Sequence, residues 1–163
     1  MFTRRQFNVA SLGLALGIAG AARTALAGGN EVIEIMKTDA EWKQILNPEQ
    51  FRVLRKHGTE PAGSSALDKT YAPGTYVCAA CDLPLYASET KFDSGTGWPS
   101  FYQPLENATG SSTDYKLIFP RTEIHCRRCG GHLGHVFDDG PKPTGKRYCM
   151  NGVALKFMPK EQS

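Results

Sequence analysis

Hydrophobic positions fall into three textures along this chain. Val9 to Ala22 is an almost unbroken apolar run of small residues. Trp42, Ile45 and Leu46, then Phe51 and Leu54, recur at helical spacing. Beyond Gly58 the apolar residues come in short bursts, Thr75–Cys78, Tyr115–Phe119, His135–Phe137 and Val153–Phe157, separated by Gly, Pro and Ser. The middle texture predicts two short helices. Thr38 followed by Glu41 has the form of a capping box, and Asn47, Pro48 and Gln50 repeat that logic for a second helix, with Gly58 as its stop. The third texture predicts strands punctuated by turns, so the domain reads as mainly β with a helical prelude. Asn107-Ala-Thr109 has the spacing of a glycosylation acceptor but reads here as loop composition.

The first texture is read differently because of its flanks. Arg4 and Arg5 precede it, and Ala25-Leu26-Ala27 follows with the small-x-small form that signal peptidases cut. The apolar run of 14 residues is short of the roughly 20 that a spanning helix needs. Residues 1–27 therefore read as a twin-arginine export signal. Residues 28–37 read as a short tail and 38–163 as the single functional domain, which places the mature protein in the periplasm with no stable membrane association after cleavage.

Charge confirms how little the basic character means. The chain has 19 Lys and Arg against 16 Asp and Glu, and residues 1–27 hold three of the arginines and no acidic residue. The mature chain is formally neutral and carries no electrostatic signature of a nucleic-acid or acidic-membrane partner. Oxidising compartments favour disulfides, but the twin-arginine route carries folded cargo, so thiols can be committed to a metal before export.

Four of the five cysteines form two C-x-x-C pairs, Cys78/Cys81 and Cys126/Cys129, each at the end of an expected strand and before a turn. Two such knuckles can supply the four thiolates of a closed tetrahedral zinc site, which leaves no open coordination position and makes the ion structural. Two disulfides, or a redox C-x-x-C, are the alternatives; the latter needs a helix opening at the motif, and no βαβ pattern is present.

The fifth, Cys149, stands apart in a region dense in reactive groups that includes His132, His135, Asp138, Asp139 and Asn151. On a strand, period two puts Arg147, Cys149 and Asn151 on one face. Arg147 either favours the thiolate or pairs with Asp138 or Asp139. The plain alternative is a buried thiol among satisfied core histidines.

Taken together, several segments are similar to the B-type peptide-methionine (R)-S-oxide reductases: residues 51–60, the two cysteine knuckles, residues 91–101, residues 131–141 and residues 147–151. The resemblance covers nearly all of the expected mature chain. It implies two antiparallel β-sheets with one structural zinc, and reduction of the R epimer of methionine sulfoxide, free or in oxidised proteins. It makes Cys149 the nucleophile, which passes through a sulfenic acid, with His132, His135 and Asn151 binding and helping to protonate the sulfoxide oxygen. Trp98 would hold the substrate methyl group; without the resemblance it reads as core packing.

Three positions depart from the family pattern. Thr96 stands where many members have a cysteine that resolves the sulfenic acid, so the resemblance implies an external reductant, either a thioredoxin-like protein, a small thiol or a periplasmic disulfide reductase. Ala62 follows Pro61 where an aromatic is common, and Gly152 replaces a usual Ser. Two other function classes compete with the enzyme. A non-catalytic zinc-ribbon interaction module predicts an inert Cys149, and a disulfide oxidoreductase predicts redox-active C-x-x-C pairs without zinc.

Overall fold

A computed structural model describes residues 33–116 and 118–161. The proposed export signal, residues 1–27, and the first part of the tail lie outside these residues. Among the described residues no helix is long and apolar enough to cross a membrane.

The first elements among the described residues are two helices, α1 (Asp39–Ile45) and α2 (Pro48–Lys56). Both caps form as their sequences require. Thr38 accepts from the Glu41 N–H while Glu41 accepts from the Thr38 N–H, and Asn47 and Gln50 exchange the same pair of bonds. The stop of α2 differs by one residue from expectation: His57, not Gly58, takes the left-handed conformation, at φ 52°. Gly58 then closes the end by donating its N–H to the Arg52 carbonyl at 3.0 Å.

Among the described residues nine strands follow, in two antiparallel sheets as expected. The smaller sheet has the order β2-β1-β9, built from β1 (Gly74–Cys78), β2 (Pro84–Ala87) and β9 (Leu155–Pro159). The larger has the order β3-β4-β8-β7-β6-β5, built from β3 (Lys91–Phe92), β4 (Ser100–Phe101), β5 (Thr109–Asp114), β6 (Arg121–Cys126), β7 (His132–Phe137) and β8 (Arg147–Met150). Aromatics join the sheets. Phe101 of β4 stacks on Tyr86 of β2 at 4.3 Å and meets Tyr76 of β1 edge-on at 4.9 Å. All three are fully buried, each contributing about 1.5–3 kcal/mol by leaving water. The buried Tyr86 hydroxyl donates to Met150 Sδ at 3.1 Å.

Two expected strands are corrected. Tyr115, Lys116, Ile118 and Phe119 lie in the connection between β5 and β6, with Tyr115, Ile118 and Phe119 exposed, and the strand is Thr109–Asp114 instead. Pairing decides this: every residue of the polar Thr109–Asp114 segment has a partner on β6, from Thr109↔Cys126 to Asp114↔Arg121, so ladder register overrides the apolar burst. Likewise the run Val153–Phe157 starts as a 3-10 turn, Gly152–Ala154, and becomes β9 only at Leu155.

Helix α2 fixes the second cysteine knuckle against the body. Its own Val53 and Leu54 are buried, as is Trp42 of α1. Arg55 packs its guanidinium over the Trp42 ring at 4.9 Å and donates to the Cys129 carbonyl at 2.9 Å.

Candidate active site and cysteine cluster

Cys78 ends β1 and Cys126 ends β6, and the turn after each brings back Cys81 or Cys129. The four Sγ atoms lie within 4.8 Å of one another, with Cys78–Cys129 at 3.7 Å and Cys81–Cys126 at 3.5 Å. Bonds of about 2.3 Å from sulfur to a tetrahedral zinc imply sulfurs roughly 3.8 Å apart, so the donor set fits such an ion. These sulfur distances are far longer than a disulfide bond of about 2.05 Å, and all four thiols are free. Crowding divides them: hydrogen bonding with Cys126 pushes the Cys78 thiol up, and hydrogen bonding from Cys129 holds Cys126 down. Neither knuckle opens a helix, which removes the geometry a redox C-x-x-C requires.

Cys149 sits in the body of β8, opposite Ser100 on β4 and His135 on β7. Together with Trp98, Asn151 and Arg121 it lines a cavity of about 130 Å³. The β7–β8 approach beside the thiol is close enough that a Cβ on Gly134 would meet the Cys149 carbonyl oxygen at 2.1 Å. Only glycine permits the strand to pass there. A larger groove of about 600 Å³ beside Glu60, Ser64 and Ser65 brings in no cysteine.

Burial raises the Cys149 thiol above its usual pKa, against the opposing pull of Thr96, Arg147 and Ser100. The Thr96 hydroxyl stands 4.0 Å from Sγ and continues through Ser94 to Ser100 by hydrogen bonds of 2.8 and 2.7 Å. Arg147 is held by Asp139 through two bonds of 2.9 and 2.8 Å and lies over the Phe137 ring. Both readings of Arg147 thus hold in part: it pairs with Asp139 while its charge still favours the thiolate.

The two histidines occupy different layers. His135 lines the cavity and its Nε2 meets Asp114 at 2.8 Å, so Nδ1 is the nitrogen left over. Burial lowers its pKa despite Asp114, which leaves a neutral ring at pH 7. His132 is buried one layer back, outside the cavity lining, with its ring edge-on to His135 at 5.4 Å. Its Nδ1 donates to Glu123 at 2.6 Å, and His57 approaches the same carboxylate oxygen at 2.7 Å. Burial opposes ionisation of Glu123, but the two histidines bring its pKa down to about 2. His57, Glu123 and His132 are a second group of donors close enough for a metal, yet their separations of 2.6–2.7 Å are hydrogen bonds, shorter than the roughly 3.4 Å between ligands on one tetrahedral zinc.

Asn151 follows β8 directly. Its Oδ1 accepts from the Glu60 N–H at 2.9 Å, and its Nδ2 donates to the Leu133 carbonyl at 3.0 Å. Trp98 donates its indole N–H to the Glu60 carbonyl at 3.1 Å, which ties down the polar end of the ring.

The residues of a SelR domain match positions 46–159. This chain belongs to the SelR family. It is 55% identical over 125 residues to the peptide methionine sulfoxide reductase MsrB of Leptospira interrogans, covering 76% of this chain and 95% of that one. The MsrB of Thiobacillus denitrificans is 54% identical over 126 residues, with 77% and 96% covered. That of Pseudomonas syringae is 53% identical over 128 residues, with 78% and 98% covered.

Sequence reasoning about this SelR chain missed Asp114, Glu123 and the Ser94–Ser100 pair, and gave Glu60 no role. Glu123 had a weak signal, an acidic residue directly before the apolar Ile124 in a strand that runs into a cysteine knuckle. Asp114 had none, because only the register Asp114↔Arg121 brings it under the cavity. The Gly152 departure has a local cause: a Cβ there would overlap Ser65 Oγ at 2.1 Å.

Proposed function

We propose that this chain, a peptide-methionine (R)-S-oxide reductase, takes the R epimer of methionine sulfoxide, free or within oxidised proteins, through a single redox cysteine. The observation that carries the reading is Cys149, the one cysteine outside the cluster, facing a small cavity shared with Trp98, His135 and Asn151.

The indole face offers an apolar wall for the methyl group. Asn151 has one N–H left for the sulfoxide oxygen. Cys149 is a thiol at rest, so its proton must leave as sulfur attacks. Neutral His135, lying opposite it, accepts that proton at Nδ1 and returns it to the oxygen, with Asp114 steadying the charged ring. His132 supports His135 from behind. The sulfoxide sulfur is reduced by two electrons and Cys149 is oxidised to the sulfenic acid, with oxygen passing from one to the other and the thiol proton ending on it.

Recovery needs an external thiol: Thr96 has no sulfur and the other four cysteines are committed to the cluster. A thioredoxin-like protein, a small thiol or a periplasmic disulfide reductase fits that need. Attack on the sulfenic acid releases water and leaves a mixed disulfide, which a second thiol reduces.

In this reading Cys78, Cys81, Cys126 and Cys129 hold one zinc. The ion supplies structure rather than catalysis, because four thiolates close its coordination. Export by the twin-arginine route to the periplasm is part of the proposal, and N-terminal sequencing of the exported protein, expected to begin at Gly28, checks it.

The deciding experiment is turnover of dabsylated methionine-R-sulfoxide with dithiothreitol. Cys149→Ser is expected to abolish it, and one turnover of the unmutated protein without reductant should add one oxygen at Cys149 by intact mass. Activity surviving Cys149→Ser, or confined to the S epimer, would contradict the assignment.

A further inference from the structure

The segment between α2 and the 3-10 turn Ala66–Lys69 reaches the site at Thr59, which lines the cavity, and at Glu60, which holds two of the site residues. Glu60 is 5% exposed, and each of its polar groups is committed to a site residue or to the turn that follows one. Its N–H donates to Asn151 Oδ1 at 2.9 Å, and its carbonyl accepts from the Trp98 indole at 3.1 Å. Its two carboxylate oxygens accept from the Gly152 N–H at 2.6 Å and the Val153 N–H at 2.9 Å. Residues some 40 and 90 positions away in sequence are thus held to one point.

Counting the Asn151 amide shows what this controls. A primary amide has an oxygen and two N–H groups. Glu60 takes the oxygen and the Leu133 carbonyl takes one N–H, leaving one N–H uncommitted. Turned the other way, the amide would face the Glu60 N–H with its own NH₂ and present oxygen to the cavity, a repulsive partner for a sulfoxide oxygen. The same residue also restrains the edge of Trp98.

We propose that Glu60 is a positioning residue for substrate binding. Its backbone selects the end of the Asn151 amide that faces the sulfoxide and fixes the Trp98 ring, while its carboxylate grips the turn after Asn151. The inference rests on the reading that Asn151 and Trp98 contact substrate. A carboxylate is required because both atoms meet N–H donors. Glutamine keeps the shape but turns an NH₂ group toward one of them.

The test compares Glu60→Gln and Glu60→Ala in the full chain, by steady-state kinetics on methionine-R-sulfoxide with dithiothreitol, alongside thermal melts and metal content. Glu60→Gln is expected to raise KM by about tenfold, the scale of one charge-assisted hydrogen bond, with a smaller change in kcat. Alkylation of Cys149 by iodoacetamide without substrate should keep the unmutated rate. In an Asn151→Ala background the effect of Glu60→Gln on KM should shrink to about twofold or less, since contacting residues couple. If Glu60→Ala fails to fold, the isosteric Gln variant carries the test. An unchanged KM in Glu60→Gln, or an effect undiminished by Asn151→Ala, overturns the proposal while leaving the substrate site standing. If Asn151→Ala and Trp98→Ala themselves leave KM unchanged, the substrate reading fails and this inference with it.

Discussion

Cys78, Cys126 and Cys149 all lie on strands, yet their surroundings differ in one respect that bears on their chemistry. At the cluster each sulfur's neighbours are other sulfurs within 4.8 Å. Such a set resists ionising four times over unless a cation is shared among its members. At Cys149 the neighbours are the Thr96 hydroxyl, the Ser100 hydroxyl and the Arg147 guanidinium, and opposite it stands a histidine able to take a proton. Partners of its own kind suit a thiol to be a ligand; partners that move or stabilise charge suit it to be a nucleophile.

The comparison breaks most heavily at the cluster. Cys126→Ser is expected to empty the metal site and to remove several of the roughly 10 kcal/mol that structural zinc contributes, lowering Tm by about 10 °C or more. Metal analysis and a thermal melt check it, and a variant that kept both metal and Tm would deny the cluster its structural role. Cys149→Ser is the converse, with turnover lost but metal content and Tm essentially retained.

A finer probe is the pH profile of Cys149 alkylation in the free enzyme. Burial raises the thiol's pKa, so reactivity should rise with pH through a midpoint above the ordinary value of about 8.5. The linkage has the same sign: a raised folded pKa stabilises the fold below the unfolded value, and that contribution is lost as pH rises through the folded one. A midpoint below about 8 would show that charge partners outweigh burial. Within that experiment Thr96→Val should give the smallest effect, a further upward move of less than about half a unit, because a contact of 4.0 Å is a weak one.

Much of this was legible from local sequence. Both helix caps and both cysteine knuckles depend on residues two or three apart, and each formed as its spacing required. The shared face of Cys149 and Asn151 followed from strand period alone and survives in the cavity. What escaped was set by register and by distant chain. Asp114 reaches His135 through the β5–β6–β7 ladder, Glu60 reaches Asn151 across the fold, and Glu123 meets His132 from the neighbouring strand. The apolar burst at Tyr115–Phe119 misled for the same reason, since hydrophobicity without a ladder partner does not make a strand.

The contact between Tyr86 and Met150 bears on how such an enzyme survives the damage it repairs. Met150 is next to Cys149 in sequence, yet it is fully buried and its sulfur accepts the Tyr86 hydroxyl at 3.1 Å. Met36 and Met158 are 87% and 55% exposed. Solvent oxidants therefore meet the exposed surface thioethers first, while the one on the strand of Cys149 stays shielded. Converting it to a sulfoxide would force a polar oxygen into the aromatic layer joining the two sheets.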